Sequence, residues 1–167
     1  MKILLLQTGG TVDKDYPTGD ENHGYSFVIT TPAYERILRR INPKFPHEKQ
    51  TVLRKDSLDI TDEERKLILD TCIQSQHKKI VITHGTDTMI QTAELLSQIE
   101  DKAIVLTGAM TPELFKNSDA DFNLGSAIGA VTVLDKGVYI AMHGRILQWN
   151  EVVFNSASGE FVSKYDQ

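Results

Sequence analysis

The stretch KIVITHGTDTM, residues 79–89, decides the fold. Its opening residues KIVIT are almost continuously apolar instead of alternating. An alternating strand keeps one face wet, whereas a continuous run marks a strand covered on both faces, as in a parallel sheet between helices. The run stops at His84-Gly85-Thr86-Asp87-Thr88. A helical pattern follows over residues 86–100, with Met89, Ile90, Ala93, Leu96 and Ile99 near one face. Strand, short polar turn and helix make half of a βαβ unit.

The same grammar extends in both directions. Strands are expected at 2–7 (KILLLQ), 51–55 (TVLRK), 103–108 (AIVLTG) and 138–143 (VYIAMH). Helices are expected between them. One begins with Thr31 as N-cap and Pro32 at its first position. Another begins at Thr61, with Glu64 three residues on, a capping box. A third begins at Ser118 and offers Phe122, Leu124, Ile128, Val131 and Val133 for burial; its Gly125 and Gly129 would let a neighbour approach closely. The alternation predicts an α/β fold: a three-layer, doubly wound (Rossmann/flavodoxin-like) domain with a mainly parallel sheet, spanning residues 1–167. A long polar loop at about 12–30 and an irregular segment at about 144–167 stand outside the pattern.

Bulk properties narrow the function. The 167 residues carry 40% hydrophobic and 25% charged side chains, with a formal net charge of −5, ordinary for a globular domain. A net negative chain with only Arg39-Arg40 as a basic run disfavours nucleic acid as partner, and no apolar run reaches the ~20 residues of a membrane span. MKILLLQ reads as a first strand, not a leader. Cys72 is the sole cysteine and falls on an apolar helix face, where a buried structural thiol is expected; the cytoplasm is the expected compartment. The five histidines lack metal-ligand spacing, and neither a P-loop nor a GxGxxG motif is present, so no metal or cofactor is expected.

In an open α/β sheet, ligands bind beyond the carboxyl ends of the strands. Those ends read Thr8-Gly9-Gly10-Thr11, Asp56-Ser57-Leu58-Asp59, His84-Gly85-Thr86-Asp87 and Gly108-Ala109-Met110-Thr111. Each hydroxyl or carboxylate alone has a local use as a turn or cap residue. Together they form an edge suited to a small zwitterion, its carboxylate against hydroxyls and N–H groups and its ammonium against Asp87 or Asp59. His84 reads as a hydrogen-bonded core histidine or as a support for that edge.

These segments resemble the bacterial-type L-asparaginase family. TGGTV (8–12) is similar to its TGGT[IV] signature and ITHGTDTM (82–89) to its HGTDTM signature. DSLDIT, LTGAMTP and SDADFNL resemble three further family segments in the same order. The resemblance implies an amidohydrolase that converts L-asparagine to L-aspartate and ammonia through an acyl-enzyme. It makes Thr11 the nucleophile, Tyr25 or Tyr16 the lid tyrosine, and Thr86 and Asp87 the second threonine and the ammonium-binding acid. Ser57 would hold the α-carboxylate, with Gly10, Leu58, Asp59, Gly85 and Ala109 lining the substrate and an N–H near Thr86 or Ala109 meeting the oxyanion. Homo-oligomers are expected, with the 118–134 helix and residues 149–154 as contact candidates.

Three features depart from the family pattern. The family's chain is about twice as long and carries a second, smaller domain. Leu58 stands where a polar contact is common. EVVFN (151–155) stands where a lysine segment is expected, leaving Asn155 or Lys164 to replace that lysine. Two alternatives stay open beside hydrolysis: a non-catalytic aspartate- or asparagine-binding domain, and an amidase subunit of a larger assembly. Asparagine and glutamine differ by one methylene and are not separated by these residues.

Overall fold

The computed structural model describes residues 1–17 and 26–166. The elements run β1 (Ile3–Gly9), β2 (Lys14–Asp15), β3 (Val28–Ile29), α1 (Ala33–Ile41), β4 (His47–Lys55) and α2 (Asp62–Gln74). They continue β5 (Lys79–Thr83), α3 (Met89–Leu96), β6 (Ala103–Thr107), α4 (Ala120–Val133), β7 (Gly137–Met142), β8 (Arg145–Gln148), β9 (Val152–Asn155) and β10 (Glu160–Ser163). The main sheet has the order β4-β1-β5-β6-β7-β8. Its first five strands are parallel and β8 returns antiparallel to β7. Counting the five parallel strands by position in the chain, this is the 2-1-3-4-5 order of a flavodoxin-like sheet, whose chain reversal lies between β1 and β5.

The continuous apolar strands are buried on both faces, as their composition requires. Ile3, Leu5, Val81, Val105 and Ala141 face α1 and α4 in one core layer. Leu4, Leu6, Ile80, Ile82, Ile104, Leu106, Val138 and Ile140 face α2 and α3 in the other. Neighbouring residues of one strand thus serve opposite layers. Cys72 is buried in the second layer, which pushes its thiol up to about 12 and leaves it inert.

Several expectations need correction. Residues 144–166 are not irregular: β8 extends the sheet edge, and β9 and β10 pair as an antiparallel hairpin that buries Phe161. Four-residue strands are too short to show a period. The β4 strand begins at His47, four residues earlier than its apolar part. Pro32 is the cap residue of α1, and Thr31 does not cap it; the Ala33 N–H instead donates to Asp13 Oδ1 at 2.6 Å, from twenty residues away. The capping box of Thr61 and Glu64 is present. In α4 the N-cap is Asp119, with the Ser118 hydroxyl accepting from the Ala120 N–H at 3.1 Å. Leu124, Ile128 and Val131 are buried, but Phe122 is 61% and Val133 83% exposed, and Gly125 and Gly129 face open space.

Candidate active site

Three strand ends meet at the chain reversal. β1 ends on Gly9, and Gly10 follows it, with positive φ of 112° and 88°. A side chain on Gly10 would fall on the backbone of Gly85, so only glycine lets the two turns touch. A side chain on Gly85 would lie 2.6 Å from Ser57 Oγ. Gly10, Gly85 and Ser57 are therefore packed in a row across β1, β5 and β4, with no room for a Cβ between them. The Gly10 N–H donates to the Lys55 carbonyl at 2.9 Å, fastening the β1 turn to the end of β4.

Thr11 and Thr86 leave from this row. Thr11 opens a single 3₁₀ turn and Thr86 follows Gly85; both are half-buried, and neither makes a side-chain hydrogen bond among the described residues. Thr8, by contrast, is buried and its hydroxyl donates to the Thr83 carbonyl at 2.8 Å, tying β1 to β5. The two threonines of TGGT thus differ: one is a strand tie, and the other has no side-chain hydrogen bond among the described residues. Ser57 is fully buried, and its Oγ has no hydrogen-bond partner among the described residues. A buried hydroxyl without a partner is uncommon, and here it stands beside the glycine row where a ligand carboxylate could accept from it. Asp56 caps the Ser57 turn, and the Lys14 ammonium holds its carboxyl below the usual range.

Asp87 and Asp59 are exposed at the same edge. Leu58 is 71% exposed. A cleft lined by Lys14, Phe27, Asp56 and Asp59 opens beside the Ser57 turn, although Thr11 and Thr86 lie outside its lining. Tyr25 lies outside the described residues. Tyr16 stacks on Phe115 at 5.6 Å between ring centres and meets Phe27 at 5.1 Å with the rings tilted by 44°, tying the start of the long loop to the segment after β6. Asn155 and Lys164 are not brought to the threonines. Asn155 Oδ1 accepts from the Ala157 N–H within its own hairpin turn, and the Lys164 ammonium donates to the Asn150 carbonyl at 2.8 Å.

Ala109, expected from sequence, is buried after β6, but sequence reasoning missed the residues that hold it. The Asp119 carboxylate accepts from the Met110 and Thr111 N–H groups at 3.0 Å. Asn123, one helical turn on, donates to the Gly108 carbonyl at 3.1 Å and accepts from the His143 N–H at 3.1 Å, joining the ends of β6 and β7. The spacing of Asp119 and Asn123 on one helix face was the available signal. Asp13 was missed as well. It is buried two residues after Thr11 and accepts from Ala33 N–H and, at 2.9 Å, from Gln7 Nε2. Burial raises its carboxyl to about 6 despite both donors. No cluster of three metal-ligating side chains occurs among the described residues.

The fold is thus a flavodoxin-like sheet whose chain reversal brings together two threonine turns, a buried serine and two exposed carboxylates. The chain belongs to the asparaginase family: the family model described as the asparaginase N-terminal domain matches residues 2–160. It is 34% identical over 166 residues to a glutamyl-tRNA(Gln) amidotransferase subunit of Methanococcus vannielii, covering 97% of this chain and 38% of that one. It is 33% identical over 155 residues to the L-asparaginase of Thermococcus kodakarensis, covering 88% and 45%. The solved thermostable L-asparaginase from Thermococcus kodakarensis superposes with a TM-score of 0.81 at 28% identity, covering 98% of this chain and 51% of that one. The chain thus spans about half or less of the length of these relatives.

Proposed function

We propose that this domain hydrolyses the side-chain amide of L-asparagine. Thr11 Oγ attacks the amide carbon, the carbonyl oxygen takes the negative charge, and the C–N bond breaks as ammonia leaves with a proton. Water then attacks the resulting ester and releases L-aspartate, restoring the Thr11 hydroxyl. The Thr86 N–H or that of Ala109 meets the oxyanion, Thr86 orients the water, Ser57 holds the α-carboxylate and Asp87 the ammonium. Tyr25 or Tyr16 closes over the nucleophile. The observation that carries this reading is the glycine row: Gly10 against Gly85 sets Thr11 and Thr86 on adjacent turns, with the unpartnered Ser57 hydroxyl beside them.

Ammonia release from L-asparagine tests it. Thr11→Ala, checked for folding, should lower kcat by at least about 10³-fold, the scale on which removing a covalent nucleophile acts, and Thr86→Ala, which removes the hydroxyl that orients the water and keeps the N–H, should lower it by less. Unchanged turnover in both variants overturns the assignment. Thermal stabilisation by L-aspartate without ammonia release instead indicates a binding domain that lacks a cation to replace the family lysine. A third reading, an amidase component of a larger assembly, is favoured by the likeness to the Methanococcus protein; co-purification of a second protein would support it. We place the reaction in the cytoplasm, where a lone buried thiol is at home, and assign homo-oligomer contact to the exposed face of α4.

A further inference from the structure

Behind the strand-end edge runs a buried polar chain that the hydrolysis above does not use. His84, fully buried at the end of β5, has Nδ1 2.8 Å from the Gly85 carbonyl oxygen and Nε2 2.9 Å from Thr92 Oγ1 on α3. Thr92 Oγ1 in turn lies 2.8 Å from Arg65 Nη1 on α2. The direction of every bond follows from chemistry. A carbonyl can only accept, so Nδ1 carries the hydrogen. Burial pushes the imidazole down to about 4, so the ring is neutral and Nε2 is an acceptor. The Thr92 hydroxyl therefore donates to Nε2 and accepts from Arg65, whose guanidinium nitrogens offer only donors. Arg65 is 5% exposed and no carboxylate among the described residues pairs with it. Besides Thr92 it donates only to neutral oxygens among the described residues, Gln91 Oε1 at 3.3 Å and the Ile60 carbonyl at 3.5 Å; a buried cation without a counter-charge is costly to keep, which points to a use for it.

We propose that Arg65, Thr92 and His84 form a positioning relay that fixes the Gly85–Thr86 peptide and so presents the Thr86 N–H to the reacting carbonyl oxygen. A trans peptide is planar, with its C=O and N–H pointing in opposite directions. Turning the Gly85 carbonyl inward onto His84 sends the Thr86 N–H the other way, away from the core, and it has no hydrogen-bond partner among the described residues. Without the Nδ1–H, the buried Gly85 carbonyl would lack a donor and the peptide would be free to rotate toward water, withdrawing its N–H. The relay thus extends from α2 through α3 to the turn after β5. Only its last link, the use of the Thr86 N–H, rests on the hydrolase reading.

The test combines kinetics with nitrogen NMR of the histidine-labelled chain. His84 should appear as the Nδ1–H tautomer and stay neutral until the pH approaches 4. Thr92→Val and Arg65→Met should lower kcat for L-asparagine by about 10- to 100-fold with KM changed less than about 3-fold, since a transition-state donor is misplaced and not removed. Thr92→Ser, which restores the hydroxyl, should recover most of the rate. An Nε2–H tautomer, an ordinary histidine titration, or folded Thr92→Val and Arg65→Met variants with wild-type kcat would each overturn the relay. Should Thr92→Val fail to fold, Arg65→Met and Thr92→Ser carry the comparison. A wild-type chain without turnover overturns the hydrolase reading alone; the relay is then upheld if Thr92→Val or Arg65→Met shifts the Thr86 amide resonance and overturned if neither does.

Discussion

Asp13 shows how one residue can serve the fold against its own ionisation. Its carboxylate caps α1 through Ala33 and holds Gln7, whose Oε1 accepts from Thr51 at 2.8 Å. Burial outweighs these bonds and lifts its pKa from 3.8 to about 6. The folded state therefore binds this proton more tightly than the unfolded chain. The stability it contributes is full below about 3.8 and is lost as the pH rises through about 6. His84 runs the other way: its pKa falls from 6.5 to about 4, so its contribution is full above 6.5 and is lost as the pH falls through 4. The two slopes oppose each other across the same window. Asp13→Asn removes one of them. The stability of the variant relative to wild type should rise by about 2 kcal/mol between about pH 4 and about pH 6.5, read by urea unfolding at both values. A difference independent of pH would show that Asp13 ionises normally. Nothing local in the sequence hints at this role, because the N–H that Asp13 caps lies twenty residues on and local spacing reports only neighbours.

At the scale of elements, the five parallel strands and four helices were legible, since continuous apolar runs and helical periods are local signals. The Gly9-Gly10 turn was legible too, as Gly-Gly at a strand end has few uses. Less visible was which element holds which loop. The start of α4 is the clearest case: Asp119 receives two N–H groups from the segment after β6, and Asn123 Nδ2 also donates to Asp119 Oδ2 at 2.8 Å. Its charge also suits the helix N-terminus. Asp119→Ala would strip an acceptor from three donors at once. It should cost about 1–3 kcal/mol, since bonds to a charged acceptor are the stronger ones, and lower Tm by about 2–4 °C per kcal/mol in a domain of this size. Asp119→Asn keeps an acceptor oxygen and should lose less. Equal Tm values for wild type and Asp119→Ala would mean that water replaces the carboxylate without cost.

For the whole molecule, the sequence misled where a helix is apolar on nearly every side. The apolar spacing of α4 could not say whether Phe122 and Val133 face the sheet, because Leu124, Ile128 and Val131 satisfy the core without them. The structure leaves Phe122, Gly125, Gly129 and Val133 along one open face. Phe122 also lies over the β7–β8 turn, where a side chain on Gly144 would come within 3.2 Å of its ring, and Ile146 is exposed nearby on β8. Glycines between two large apolar residues let a second helix approach closely without steric cost, and two copies of one face satisfy each other in a twofold pair. Such a face exposed to water would be an aggregation liability unless it is covered. Light scattering should therefore show a mass above 18.7 kDa that grows with concentration up to about 100 µM, because association follows mass action. Phe122→Asp, placed outside the monomer core, should return the 18.7 kDa species without lowering Tm measured in dilute solution. A wild-type chain that stays monomeric throughout that range, or a Phe122→Asp variant that still associates, would remove α4 as the contact.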